Sequence, residues 1–377
     1  MDLITIAALV GGMILLVVGA EALVRGASRM AAMAGIAPLI IGLTVVSFGT
    51  SAPELAVSAQ SALSGQADIA LGNVIGSNVF NILAILGISA LVAPLIVSRQ
   101  LVRQDVPVMV GVSLLVFLLA LDGDISRPDG LILLLGVVGY TGFLVIQARN
   151  ERVSPPEATG RTGEFTAVYG HVATKGWRSW AGNLLLVAVG MGMLVLGSNW
   201  LVDGAVAIAE ALGVSQLVIG LTVIAAGTSL PELATSIIAS LRGERDIAVG
   251  NAVGSNIYNL LLILGTAAVL GDGVAVAPSV LHFDMPVMLA VAVACLPIFF
   301  AGYEISRWNG ALFVGYFLAY MAYVVLSATQ HDALNVFSTA MMLFVIPLTV
   351  LTLGVVLVRS LQARKAVKLE AVPKKRA

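Results

Sequence analysis

Eleven apolar runs succeed one another along the chain, at 3–24, 38–63, 69–95, 106–121, 129–147, 181–202, 215–240, 247–270, 285–301, 308–327 and 335–358. A helix rises 1.5 Å per residue, so about 20 residues cross the roughly 30 Å hydrocarbon layer of a bilayer. No run alternates apolar and polar residues with period two, so the pattern predicts a bundle of membrane helices and not an outer-membrane barrel. Two runs are interrupted by a polar, helix-breaking hexapeptide. The second contains Gly49-Thr50-Ser51-Ala52-Pro53-Glu54 and the seventh contains Gly227-Thr228-Ser229-Leu230-Pro231-Glu232.

The two hexapeptides belong to an internal repeat. Residues 39–87 align with 217–265 without a gap, at an offset of 178, and 29 of those 49 positions are identical. A second shared string follows each hexapeptide: Gly72-Asn73-Val74-Ile75-Gly76-Ser77-Asn78-Val79-Phe80-Asn81, then Gly250-Asn251-Ala252-Val253-Gly254-Ser255-Asn256-Ile257-Tyr258-Asn259. Self-similarity of this kind marks one supersecondary unit used twice. Gly12, Gly19, Gly26 and Gly35 in and after the first run recur as Gly190, Gly197, Gly204 and Gly213 around the sixth. They predict close helix contacts that could slide, or ordinary small-residue packing.

Charge placement orients the chain. With eleven spans, 19 of the 20 Lys and Arg residues fall on one face; only Arg127, in an acidic loop, falls on the other. The positive-inside rule then sets the N-terminus outside and the basic tail after Arg359 in the cytoplasm. The hexapeptides sit five spans apart, so the two copies cross in opposite directions. Inverted repeats with broken helices near the midplane are a transporter architecture.

The predicted organisation is an all-α integral membrane protein. A first five-helix repeat spans 1–147, a cytoplasmic linker 148–180, a second, inverted repeat 181–327, and an extra helix with a basic tail 328–377. Composition agrees: 59% hydrophobic and 11% charged residues, with a mean hydropathy of +1.01. The net charge of −1 points to no partner. Cys295 is the one cysteine, which excludes an internal disulfide and a thiolate metal site. The start of the chain has no basic n-region and reads as a retained helix. Nothing calls for an organic cofactor, a nucleic acid or an obligatory protein partner; the expected surroundings are the lipid bilayer of a plasma (inner) membrane.

The interruptions carry the chemistry. Insertion scales put an acidic residue at the bilayer centre at about 2.5–3.5 kcal/mol. A proline one position earlier removes a helical hydrogen bond and frees a carbonyl. Such backbone is tolerated in a membrane only where protein, water or a ligand satisfies it. Carboxylates, hydroxyls and carbonyls are hard oxygen ligands, of the kind Ca²⁺ and Na⁺ take. Glu54 and Glu232 are the only acids placed well inside spans, and neither has an evident basic partner there. Asp68 and Asp246 sit at span starts and read as helix N-terminal residues. Ser77 and Asn81 share a helix face, as do Ser255 and Asn259. Inverted symmetry would bring Glu54, Asn81, Glu232 and Asn259 to one centre, flanked by Thr50, Ser51, Thr228 and Ser229. Asn73, Asn78, Asn251 and Asn256 read equally well as polar glue between helices. Two carboxylates would be neutralised by one Ca²⁺, or could hold protons.

At these residues the chain resembles the calcium/cation antiporter superfamily, in particular the prokaryotic sodium/calcium exchangers. Their two alpha repeats carry Gly-Thr-Ser-x-Pro-Glu followed by Gly-Asn-x-x-Gly-Ser-Asn, complete here in both halves over roughly 1–327. The resemblance implies a membrane antiporter, not an enzyme, with one calcium and several sodium positions between four central helices. Transferred by position, the calcium ligands are the Glu54 and Glu232 carboxylates and the Thr50 and Thr228 carbonyls. Ser51, Ser77, Ser229 and Ser255, with the carbonyls of Ser47 and Ala225, serve sodium, and Asn81 and Asn259 complete the centre. The first and sixth helices slide to alternate access. Some relatives, including potassium-dependent members, carry Asp where this chain has Asn259, which implies potassium-independent exchange; replacing one Ca²⁺ by three Na⁺ would leave a net +1 and make the exchange electrogenic. No large calcium-sensing domain has room here, and the eleventh span is extra. The alternative is a proton/calcium antiporter of the same fold, whose members typically carry Glu where this chain has Gly76 and Gly254. A channel is disfavoured by the antiparallel broken helices.

Overall fold

The apolar runs fold as helices in the computed structural model, which describes residues 3–150, 176–213, 225–300, 302–352 and 354. They are α1 (Leu3–Ala34), α2 (Pro38–Thr50), α3 (Ala52–Leu63), α4 (Ile69–Val92), α5 (Leu101–Asp122), α6 (Arg127–Asn150), α7 (Trp177–Ala211), α8 (Leu230–Leu241), α9 (Arg245–Leu270), α10 (Val280–Phe300), α11 (Arg307–Ala328) and α12 (Ala333–Thr352). Among the described residues nine helices are long and apolar enough to cross a membrane, and the bent pair α2–α3 counts as a tenth. Helix α8 is the described part of the seventh run, together with a short turn at Ala225–Gly227. The start of that run, most of the linker 148–180 and the tail after 354 lie outside the described residues.

Helices α4 and α9 form the centre. Buried residues make up 83% and 78% of their apolar windows, against 28% for α1, α6 and α7. Their glycines, serines and asparagines explain this, since these small and polar residues need protein neighbours where lipid offers none. The break between α2 and α3 bends the second span by 45°. Pro53 lies in the first turn of α3 and Pro231 in the first turn of α8, where the missing N–H costs the helix nothing.

Helices α1 and α7 overshoot their apolar runs. With 32 and 35 residues they reach about 48 and 52 Å, well beyond the hydrocarbon thickness. Arg25 therefore lies within α1 and not after it; it pairs with Glu21 one turn earlier, which also accepts Arg242 from the end of α8. The two long helices touch backbone to backbone. A Cβ at Gly12 would lie 2.8 Å from the Gly197 carbonyl, and one at Gly19 would lie 2.9 Å from that of Gly190. Gly35 and Gly213 do something else: with φ of +67° and +76° they end α1 and α7, and a Cβ on either would touch nothing.

Two short strand pairs join the halves and qualify the all-α expectation. β1 (Leu95–Ile96) pairs antiparallel with β4 (Glu304–Ile305), and β2 (Asp124–Ile125) with β3 (Val274–Ala275). Helix α12 packs outside this arrangement: the Tyr316 hydroxyl on α11 reaches the Val345 carbonyl and Thr349. An apolar cavity of about 280 Å³ lies between α10, α11 and α12, lined by residues such as Phe283, Val287, Tyr316 and Met342, none of them a predicted site residue.

Candidate cation site

Each proline break sets a glutamate in the first turn of the following helix, Glu54 in α3 and Glu232 in α8. The positive end of the helix dipole favours a carboxylate there. The serine before each helix would ordinarily cap it. Neither does. Ser51 Oγ donates across the molecule to Glu232 Oε1 at 3.0 Å, and Ser229 Oγ donates to Glu54 Oε1 at 3.0 Å. Ser229 Oγ also lies 3.2 Å from Ser77 Oγ. Both carboxylates are about 1% exposed.

The threonines cross in the same way. Thr50 Oγ1 donates to Asn251 Oδ1 at 3.1 Å, and Thr228 Oγ1 to Asn73 Oδ1 at 3.3 Å. The amide groups of these asparagines turn back to their own half. Asn73 Nδ2 donates to the Glu54 carbonyl and Ser58 Oγ, and Asn251 Nδ2 to the Glu232 carbonyl and Ser236 Oγ. Asn81 and Asn259 open π-helical turns, Asn81–Leu86 and Asn259–Ile263. Such turns occur often at functional sites. Asn81 Nδ2 donates to Asn256 Oδ1 at 3.0 Å, and Asn259 Nδ2 to Asn78 Oδ1 at 3.0 Å.

Among the buried side-chain oxygens that make no hydrogen bond are Glu54 Oε2, Glu232 Oε2, Asn81 Oδ1, Asn259 Oδ1 and Ser255 Oγ. A buried acceptor without a partner ordinarily costs about 1–3 kcal/mol, and more when charged. The five are thus a set of hard oxygens with free lone pairs, drawn from both halves. Among the described residues no group of three or more His, Cys, Asp or Glu side chains could hold a metal; the acids at this centre are the two carboxylates, and its other free oxygens are neutral. Ser47 Oγ donates to the Gly42 and Asn251 carbonyls, while its own carbonyl accepts the Ser51 N–H at 3.0 Å. Ala225 is the first described residue of the second copy.

The family model described as sodium/calcium exchanger protein matches residues 4–147 and 182–326. The chain belongs to that family. This exchanger is an antiporter, a multi-pass membrane transporter and not an enzyme. It is 38% identical over 329 residues to inner membrane protein YrbG of Escherichia coli, covering 85% of this chain and 96% of that one. It is 29% identical over 334 residues to sodium/calcium exchanger MaX1 of Methanosarcina acetivorans, covering 82% and 95%. The solved structure of the sodium-calcium exchanger NCX_Mj soaked with 10 mM Na⁺ and zero Ca²⁺ superposes with a TM-score of 0.72 at 30% identity, covering 85% of this chain and 99% of that one.

Two acids at matching places in the exchanger's helices escape the sequence pattern. Asp105 is 0% exposed inside α5, where it accepts the Tyr140 hydroxyl at 3.3 Å; the hydropathic run starts one residue later and hides it. Asp284 accepts Tyr320 at 2.9 Å in the corresponding place of the second half. The signal was a second repeat beyond the aligned 49 residues: Asp105-Val106-Pro107-Val108-Met109 against Asp284-Met285-Pro286-Val287-Met288.

Proposed function

We propose that this exchanger moves Ca²⁺ against Na⁺ across the plasma (inner) membrane by alternating access to one site shared between its halves. The observation that carries the reading is the reciprocal pair Ser51–Glu232 and Ser229–Glu54, which joins two buried carboxylates from opposite halves beside five unpartnered oxygens. The calcium position takes the Glu54 and Glu232 carboxylates with the Thr50 and Thr228 carbonyls. The sodium positions take Ser51, Ser77, Ser229 and Ser255 with the Ser47 and Ala225 carbonyls, and Asn81 and Asn259 complete the centre. Two carboxylates balance one Ca²⁺; three Na⁺ in its place leave a net +1. Exchange in that ratio moves charge and responds to the membrane potential. Neutral Asn259 accords with potassium-independent exchange.

The halves 1–147 and 181–327 are inverted repeats, with the N-terminus outside and the tail in the cytoplasm. Supporting this, many contacts occur twice with the halves exchanged: the Ser–Glu pairs, the Thr–Asn pairs and the two strand pairs. Helices α1 and α7, joined through glycines, move together past the site.

The test is Ca²⁺ uptake into proteoliposomes under an opposing Na⁺ gradient, with and without K⁺ and a clamped potential. Glu54→Gln and Glu232→Gln should each abolish uptake while the protein stays inserted, since Gln keeps the serine hydrogen bond and removes the charge. Full activity of either variant refutes the site. Equal uptake driven by a pH gradient alone replaces sodium coupling with proton coupling.

A further inference from the structure

The middle asparagine of each shared string, Asn78 and Asn256, is neither a predicted ligand nor idle. Asn78 Nδ2 donates to the Asn256 carbonyl at 3.3 Å and to Met288 Sδ at 3.6 Å. Asn256 Nδ2 donates to the Asn78 carbonyl at 3.2 Å and to Met109 Sδ at 3.7 Å. Both N–H bonds of each amide are thereby used, and a backbone carbonyl can only accept. The side facing the carbonyl must be nitrogen, which fixes the other side as oxygen. That oxygen accepts from the neighbouring amide: Asn78 Oδ1 from Asn259 Nδ2, and Asn256 Oδ1 from Asn81 Nδ2, each at 3.0 Å. The chain of constraint ends in the site. With its nitrogen engaged, Asn259 has only Oδ1 to present, and so has Asn81; these are two of the buried oxygens without a partner. A central amide turned by half a revolution would present two N–H donors to the same space, and a cation would meet the positive end of the dipole.

We propose that Asn78 and Asn256 are positioning residues: a cross-brace that fixes which end of the Asn259 and Asn81 amides faces the cation. This rests on the cation site proposed above. The brace supplies no ligand. It acts through the ligand's orientation, as outer-shell partners do when their loss lowers metal affinity about 10–100-fold.

An orientation role and a packing role separate in a double-mutant cycle. The readouts are the Ca²⁺ KM for uptake in proteoliposomes and the stabilisation of the purified full-length protein against heat by Ca²⁺, Sr²⁺ or Na⁺. Asn78→Leu keeps the volume and removes the polar contacts; it should raise the Ca²⁺ KM about 10–100-fold. Aspartate at 259 has two equivalent oxygens and no N–H, so turning it changes nothing. In an Asn259→Asp background, Asn78→Leu should therefore shift KM by less than about threefold, so that the two substitutions are strongly coupled. Asn256→Leu should couple in the same way to Asn81→Asp, and Asn78→Leu should not couple to Asn81→Asp. Should Asn78→Leu fold poorly, Asn78→Asp keeps the acceptor for Asn259 Nδ2 and loses the donor to the Asn256 carbonyl; it should retain tight Ca²⁺ binding. A cost of Asn78→Leu that is equal in both 259 backgrounds overturns the brace, as does equal loss of binding by the Asp and Leu variants. Wild-type protein stabilised by none of the three cations overturns the cation site, and the brace with it.

Discussion

Replacing Gly190 by alanine tests whether α1 and α7 move as one body. A Cβ there would lie 2.7 Å from the Leu23 nitrogen and 2.8 Å from the Gly19 carbonyl, where ordinary contact begins near 3.4 Å. Both neighbours are backbone, so no side chain can rotate away, and the helices must part by about 0.7 Å. Overpacking of this size costs about 1–3 kcal/mol. The proposed ligands lie on α2, α3, α4, α8 and α9 and at the breaks before α3 and α8, so strain at the α1–α7 contact falls on the pair proposed to move. A strain difference of about 1 kcal/mol between the two facing conformations slows exchange roughly fivefold. The assay is Na⁺-driven uptake of radiolabelled Ca²⁺, with melting of the purified protein alongside. Uptake and melting temperature should fall while the Ca²⁺ KM stays within about twofold of wild type. Gly19→Ala strains the same crossing, so the double variant should lose less than the sum of the singles. A KM that rises as far as the rate falls, or strict additivity of the two alanines, refutes the reasoning.

Three other outcomes are expected. Ser198 Oγ donates to the Gly227 carbonyl, the one that Pro231 deprives of its helical donor, so Ser198→Ala should destabilise the protein by about 1–3 kcal/mol, read by melting. Glu244 lies between α8 and α9, where burial foremost, and the Asp246 charge, raise its carboxyl to about 7. The folded state therefore holds this proton more tightly than the unfolded one, and stability falls as pH rises from the ordinary carboxylate range to about 7, by up to about 3 kcal/mol; Glu244→Gln should flatten that part of the melting profile. Cysteines introduced after Arg359 should be labelled only from the cytoplasmic side, and external labelling removes the eleventh span.

What could be read from the residues follows the range of the forces involved. The repeat offset of 178 announced which residues would meet, because exchanged contacts such as Ser51–Glu232 and Ser229–Glu54 need only the pattern to be present twice. The broken helices were legible because proline acts on its own backbone. Helix ends were not: α1 continues ten residues past its apolar run because Arg25 is held by Glu21, and a hydropathic window cannot see that pair. The contact of Glu21 with Arg242 spans 221 positions and has no local signature. Asn78 and Asn256 were ambiguous for a similar reason, since the facing direction of an amide is decided by what lies opposite it in space.

The exchanged hydrogen bonds also impose a schedule on the ribosome. Ser229, which holds the Glu54 carboxylate, is made 175 residues after it. At roughly 5–20 residues per second the interval is about 10–35 s, long compared with helix formation and with diffusion in the bilayer. Throughout that time the first half carries a carboxylate whose serine does not yet exist. Nascent chains stopped between the two hexapeptides should therefore be poor substrates for release into lipid, and retention at the insertion machinery should end only when Ser229 has emerged.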